Sequence, residues 1–108
     1  MSEREILEEL KKISRILTLA YSDVIERELS KIATTNERKK IWVLIDGVRT
    51  SKDIAKEVGV TVRSVNRFLA IAAKARLVEN PRGKPPRRLI EYVPPSWIEL
   101  LELPEEGE

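Results

Sequence analysis

Thr50 to Arg76 reads TSKDIAKEVGVTVRSVNRFLAIAAKAR, and this stretch constrains the fold more than any other part of the chain. Thr50 stands where an N-cap hydroxyl is needed. Asp53, three residues on, puts a carboxylate at the positive end of the helix dipole. Ile54, Ala55 and Val58 recur at helical spacing, and Gly59 supplies the backbone freedom that ends a helix. Thr61 can cap a second helix. That helix carries Val65, Leu69, Ala72 and Ala73 on one face and Arg63, Arg67 and Lys74 on the opposite one. Two helices joined by a tight turn, the second with one basic face, form a helix-turn-helix pattern, which points to DNA as the partner.

The remaining chain is read against that pattern. A length of 108 residues holds one domain with an extra element or two. At 42% hydrophobic it can bury a core, and at 5% aromatic that core is expected to be aliphatic. Cysteine and histidine are both absent, which excludes a disulfide framework, thiolate or zinc–histidine metal sites and histidine acid–base catalysis. With no glycine-rich phosphate loop and no paired-carboxylate signal, the chain is not expected to be an enzyme, and no metal or cofactor is expected. The 35% of charged residues, with glycine scarce, is a thermophile-like composition. No apolar run approaches the ~20 residues that span a bilayer, and the acidic-rich start lacks the features of a signal peptide. No membrane partner and a cytoplasmic location are therefore expected.

The formal charge of +2 hides a segregation. Residues 1–36 hold six Lys/Arg against seven Asp/Glu, and residues 37–76 hold ten against four. Residues 77–93 hold four against two, and residues 94–108 hold none against five. The positive charge lies on the central stretch and the segment after it, as in a polyanion-binding middle flanked by other functions.

Residues 2 to about 32 predict one long helix or two nearly continuous ones, with Ser2 and Glu5 as a capping box and a kink near Tyr21–Asp23. Ile6, Leu10, Ile13, Leu17, Ala20 and Val24 follow a 4-3-4-3-4 spacing, a heptad repeat over nearly three heptads. Leu7, Ile16, Leu19, Tyr21 and Ile25 widen the stripe. Such a helix has more apolar surface than a small domain covers, so residues 1–33 are expected to form a coiled-coil homodimer interface. Packing on its own domain is the alternative. Thr34, Thr35 or Asn36 can cap the next helix, with Ile41, Leu44 and Ile45 at core spacing and Asp46-Gly47 at its end. Arg38, Lys39 and Lys40 at its start can touch a DNA backbone or form a solvated basic cluster. A short strand at Val48–Arg49 is expected to pair with a later hairpin.

That hairpin is read in LVENPRGKPPRRLIEYV. Leu77–Glu79 and Leu89–Val93 are rich in strand formers, and the loop between them is full of turn formers. Pro94-Pro95 closes it. Ser96 and Glu99 then suggest a capping box for a short amphipathic helix that Pro104 ends, before an acidic tail from Glu105 to Glu108 that is expected to be disordered.

The order helix, helix, turn, helix, two-stranded hairpin resembles the winged helix-turn-helix domain of MarR-like and ArsR-like regulators of archaea and bacteria. The segment SKDIAKEVGVTVRSVNRFLAIAAKARLVE, Ser51–Glu79, carries the likeness. Ile54–Gly59 match the family's second helix, Val60–Arg67 the start of its recognition helix, and Ala75–Glu79 the run into its wing. One departure is Arg76, where the family pattern has glycine. The resemblance implies a mainly α fold with a small β-hairpin, a winged helix-turn-helix over residues 36–93 with a long N-terminal dimerisation helix. Residues 94–108 would form a C-terminal helix and tail.

It also implies a double-stranded DNA site. Thr61, Arg63, Ser64, Asn66 and Arg67 would face the major groove. Arg63 or Arg67 would take guanine and Asn66 adenine. Val62 either meets a thymine methyl or faces the core. Arg82, Lys84, Arg87 and Arg88 would grip backbone or enter a minor groove. The expected function is sequence-specific DNA binding as a homodimeric transcription regulator. The alternatives are a winged-helix protein-interaction module in a larger assembly and a non-specific architectural DNA-binding protein.

Overall fold

Four hydroxyl side chains start the first four helices. Ser2, Thr35, Thr50 and Thr61 each accept the backbone N–H three residues ahead, from Glu5, Arg38, Asp53 and Ser64. In the computed structural model, which describes residues 2–102, the order is α1 (Glu3–Ile32), α2 (Asn36–Leu44), α3 (Ser51–Val58), α4 (Val62–Lys74), β1 (Val78–Glu79), β2 (Arg87–Arg88) and α5 (Pro95–Glu102). The protein is mainly helical with one small antiparallel hairpin, as the sequence suggests. At α3 the capping box is complete, because the Asp53 carboxylate also accepts the Thr50 amide. At α1 only the Ser2 half of the expected box is formed.

Three local expectations are corrected. Ser96 is no cap: α5 begins at Pro95, and its first turn closes on the Pro94 carbonyl, which accepts the Trp97 amide at 2.9 Å. No strand forms at Val48–Arg49. Asp46 Oδ1 accepts both their amides, at 2.9 and 2.8 Å, and the bridge to the hairpin falls at Asp46 opposite Arg87. Gly47, at φ +82, donates to the Pro86 carbonyl beside this bridge. The returning strand is Arg87–Arg88 rather than Leu89–Val93, with Val78 opposite Arg88 and Glu79 opposite Arg87. After Leu89 donates to Leu77, the chain leaves the ladder. The Tyr92 carbonyl then accepts Trp42 Nε1 at 3.0 Å, and Tyr92 and Val93 pack on the core.

The core is built from Ile41, Trp42, Leu44 and Ile45 of the α2 region, Ile54 and Ala55 of α3, and Val65, Phe68, Leu69 and Ala72 of α4. Val78, Trp97 and, from the end of α1, Leu29 and Ala33 complete it. Aliphatic side chains are the majority, but Trp42, Phe68 and Trp97 sit inside, so the core is less purely aliphatic than expected. The α5 helix packs on α2 through Trp97. Pro104 and the Glu105–Glu108 tail lie outside the described residues.

The α1 helix joins this core only at its C-terminal end. Tyr21, at φ −118 and ψ 21, interrupts it where the kink is expected. Upstream, Ile6, Leu10, Ile13, Leu17 and Val24 are between 45% and 57% exposed, and Ala20 is exposed as well. The heptad stripe is thus only partly covered by the chain's own domain: Leu10, Ile13 and Leu17 face Leu89 and Ile90 across an open recess of about 470 Å³.

Candidate nucleic-acid interface

The α4 helix is anchored by Val65, Phe68, Leu69 and Ala72, all buried. Anchoring that face turns Arg63, Ser64, Asn66 and Arg67 to the surface, and all four are exposed. Val62, at 36% exposed, belongs to this outer side and not to the core. The Thr61 and Ser64 hydroxyls are partly committed to the helix start. Thr61 Oγ1 accepts the Ser64 amide at 3.0 Å and donates to Ser64 Oγ at 3.0 Å. Arg63, Asn66 and Arg67 enter none of the side-chain hydrogen bonds or ion pairs among the described residues. Their donors are therefore available to a ligand on the α4 face.

The hairpin divides its four basic residues into two kinds. Arg82 and Lys84 stand exposed on the loop, on either side of Gly83, which takes φ +77. Arg87 is exposed but ion-paired with Glu79 across the ladder, and that carboxylate raises its pKa further. Arg88 turns inward. Its Nη1 donates to the carbonyls of Trp42 and Val43, at 2.9 Å each, and its guanidinium lies 6.0 Å from the Trp42 ring centroid. Burial lowers its pKa from the ordinary arginine value. Nη1 is thus committed inside the fold, and Nε is buried without a partner among the described residues.

The basic cluster at the start of α2 also has internal roles. Arg38 Nη1 donates to the Ile32 carbonyl at the end of α1 at 3.0 Å, and Lys39 lies 5.8 Å from the Trp97 ring centroid. These contacts fasten α1 and α5 to α2. Arg49 ties the α2–α3 loop to α3, pairing with Asp46 Oδ2 at 2.6 Å and Glu57 Oε1 at 2.9 Å. Slight burial pushes the Asp46 carboxyl up, but the Arg49 and Val48 amides and the Arg49 charge outweigh it and leave the pKa lowered.

Between the start of α3 and the hairpin loop lies a recess of about 500 Å³, walled by Thr50 and Ser51 on one side and Asn80–Pro86 on the other. Sequence reading assigned Thr50 only a capping role and did not single out Ser51. The signal was a helix N-terminus following a glycine turn, but the loop that meets it lies some thirty residues away. The candidate surface is thus the exposed side of α4, the N-terminal end of α3 and the loop with Arg82 and Lys84. Helix N-termini and unpaired guanidinium and ammonium groups favour anions, and amide and guanidinium forks also suit base edges.

Among the described residues no group of three or more acidic side chains could hold a metal ion, and no helix is long and apolar enough to cross a membrane. Comparison with protein-family models, with curated proteins and with solved structures returned no match.

Proposed function

We propose that this chain is a winged helix-turn-helix protein that binds double-stranded DNA in a sequence-specific manner, as a homodimeric transcription regulator joined through α1. The observation that carries this reading is the outer face of α4. Three side chains suited to base edges, Arg63, Asn66 and Arg67, stand exposed and unpaired on a helix fixed by its buried face. In this reading α4 enters the major groove, where an arginine takes guanine O6 and N7 and Asn66 takes adenine N6 and N7. Thr61 and Ser64 lie at the entering end, with the helix N-terminus beside a phosphate. Arg82 and Lys84 hold backbone on the flank, while Arg87 reaches it only by exchanging Glu79 for phosphate. The charge segregation supports the same partner.

A pair of chains would set two α4 helices one duplex turn apart, about 34–36 Å, or a multiple of it, and would select a palindromic site. The test is a gel-shift titration against random and selected duplexes at several salt concentrations, followed by footprinting. A preferred site with a steep salt dependence is expected. Absence of duplex binding at low salt would sink the proposal, and binding with no preferred footprint would replace regulator with architectural protein. The partly exposed apolar stripe on α1 favours a protein-interaction module as the second reading, and that reading gains if DNA binding fails.

A further inference from the structure

The α1 stripe is wider than a two-stranded seam. In the heptad register, Leu10, Leu17 and Val24 occupy the a positions and Ile6, Ile13 and Ala20 the d positions. Two-stranded parallel coils favour β-branched residues at a and leucine at d, whereas leucine at a with isoleucine at d shifts the preference to three or four strands. The flanking e and g positions of a two-stranded coil usually carry Glu and Lys, which pair across the seam. Here Leu7 and Tyr21 fall at e and Ile16 at g, and they are 52%, 55% and 64% exposed in the single chain. A two-stranded seam would leave much of these three side chains wet. A four-stranded bundle buries e and g between neighbouring helices.

The charges on the flanks give a direction as well. Glu9 and Asp23 are the remaining g residues. Antiparallel helices bring g against g and would set these two carboxylates near each other. Parallel helices set Glu9 against Ser14 of the next copy and Ile16 against Tyr21, and their one like-charge pair, Asp23 with Glu28, falls past the Tyr21 kink at the end of the bundle. The Tyr21 kink lets the attached domains diverge below the bundle.

We infer that the occupant of this stripe is the same chain three times over: α1 residues 3–24 form a parallel four-helix bundle, and the DNA-binding pair is half of a tetramer. This inference rests on the self-association in the proposed function and not on its DNA binding. Sedimentation equilibrium or light scattering of the full chain at micromolar concentration, without DNA, tests it. The expected mass is four times the 12.4 kDa of one chain. A twofold mass overturns the tetramer and leaves the homodimer standing, while a onefold mass removes both. The two branched residue types can also be exchanged, with Ile6→Leu, Leu10→Ile, Ile13→Leu and Leu17→Ile in one chain. That variant keeps the volume and helicity of α1 and is expected to fall from fourfold to twofold mass. An unchanged mass in the exchanged variant would show that a and d chemistry does not set the assembly. A tetramer that fails to shift any duplex would count against the DNA reading alone.

Discussion

The Arg88 guanidinium lies 6.0 Å from the centroid of the Trp42 indole, and Arg88 Nη1 donates to the carbonyl of the same tryptophan at 2.9 Å. A second 2.9 Å bond from Nη1 reaches Val43, so one positive group satisfies two carbonyls in the last turn of α2, the negative end of that helix. Trp42 is held from the other side by the Tyr92 carbonyl on its Nε1. The end of β2 and the segment after it are therefore fastened to the core through one tryptophan.

Replacing Arg88 is expected to cost stability before it costs anything else. Arg88→Met keeps much of the side-chain volume but leaves two carbonyls without their charged donor, a loss of roughly 2–3 kcal/mol. Arg82→Met, on the exposed loop, should fall within about 0.5 kcal/mol of the parent. Urea unfolding followed by circular dichroism compares the two. Equal stability of both variants would mean that the Arg88 bonds are not formed in solution.

Arg76 is the one non-glycine residue with positive φ among those described, at +63. It follows α4 where the Leu77 amide reaches back to Ala72 and the Arg76 amide to Ala73, both at 3.0 Å. This is the Schellman arrangement, which favours glycine at that position. The left-handed conformation costs an ordinary residue about 1–2 kcal/mol, partly offset because glycine gains more freedom on unfolding. Arg76→Gly should therefore stabilise the fold by roughly 0.5–1 kcal/mol, read as a higher unfolding midpoint in urea. A lower midpoint would place Arg76 in a stabilising contact that its exposed position does not suggest.

The Asp53 carboxyl is held below its ordinary value of 3.8, first by the Thr50 amide and then by the Thr50 hydroxyl. A carboxyl whose folded pKa is depressed stabilises the fold fully above the unfolded value and loses that contribution as pH falls through the folded one. Below about pH 4, the parent should therefore lose melting temperature more steeply than Asp53→Asn, which has no charge to lose there. Parallel melting curves from pH 2 to pH 7 would expose the difference. Identical slopes would remove Asp53 from the acid sensitivity of the fold.

What the sequence revealed and what it hid divide by the range of the interaction. The caps at Thr50 and Thr61, the end at Gly59 and the buried face of α4 rest on contacts within a turn or two, and all were legible from spacing. The outer face with Arg63, Asn66 and Arg67 followed from the same periodicity. The inward bonds of Arg88 were hidden because its partners lie 45 and 46 residues away, and nothing in RRLIEYV distinguishes an inward arginine from an outward one. The shortened hairpin has the same cause. Leu89–Val93 has strand propensity, but the Tyr92 carbonyl is bound to Trp42, 50 residues earlier. The unusual glycine position was visible only as a departure, and it is occupied by Arg76 in the left-handed conformation that the pattern requires.

The two classes of exposed cation should separate in their dependence on salt and on sequence. Arg67 lies on the outer face of α4 and Lys84 on the hairpin loop, and neither has an ion-pair partner among the described residues. If α4 reads bases, Arg67→Ala should weaken the preferred duplex by ~1–3 kcal/mol and relax the choice at one base pair. A backbone contact carries no sequence information. Lys84→Ala should therefore weaken preferred and random duplexes alike and reduce the slope of log K against log salt by about one. Both variants need titration on both duplexes at three or more salt concentrations. Should Arg67→Ala weaken the two duplexes equally, its guanidinium holds phosphate and base reading passes to Arg63 and Asn66. Should Lys84→Ala leave the slope unchanged, the loop stands clear of the duplex, and the recess between it and Thr50 is not part of the interface.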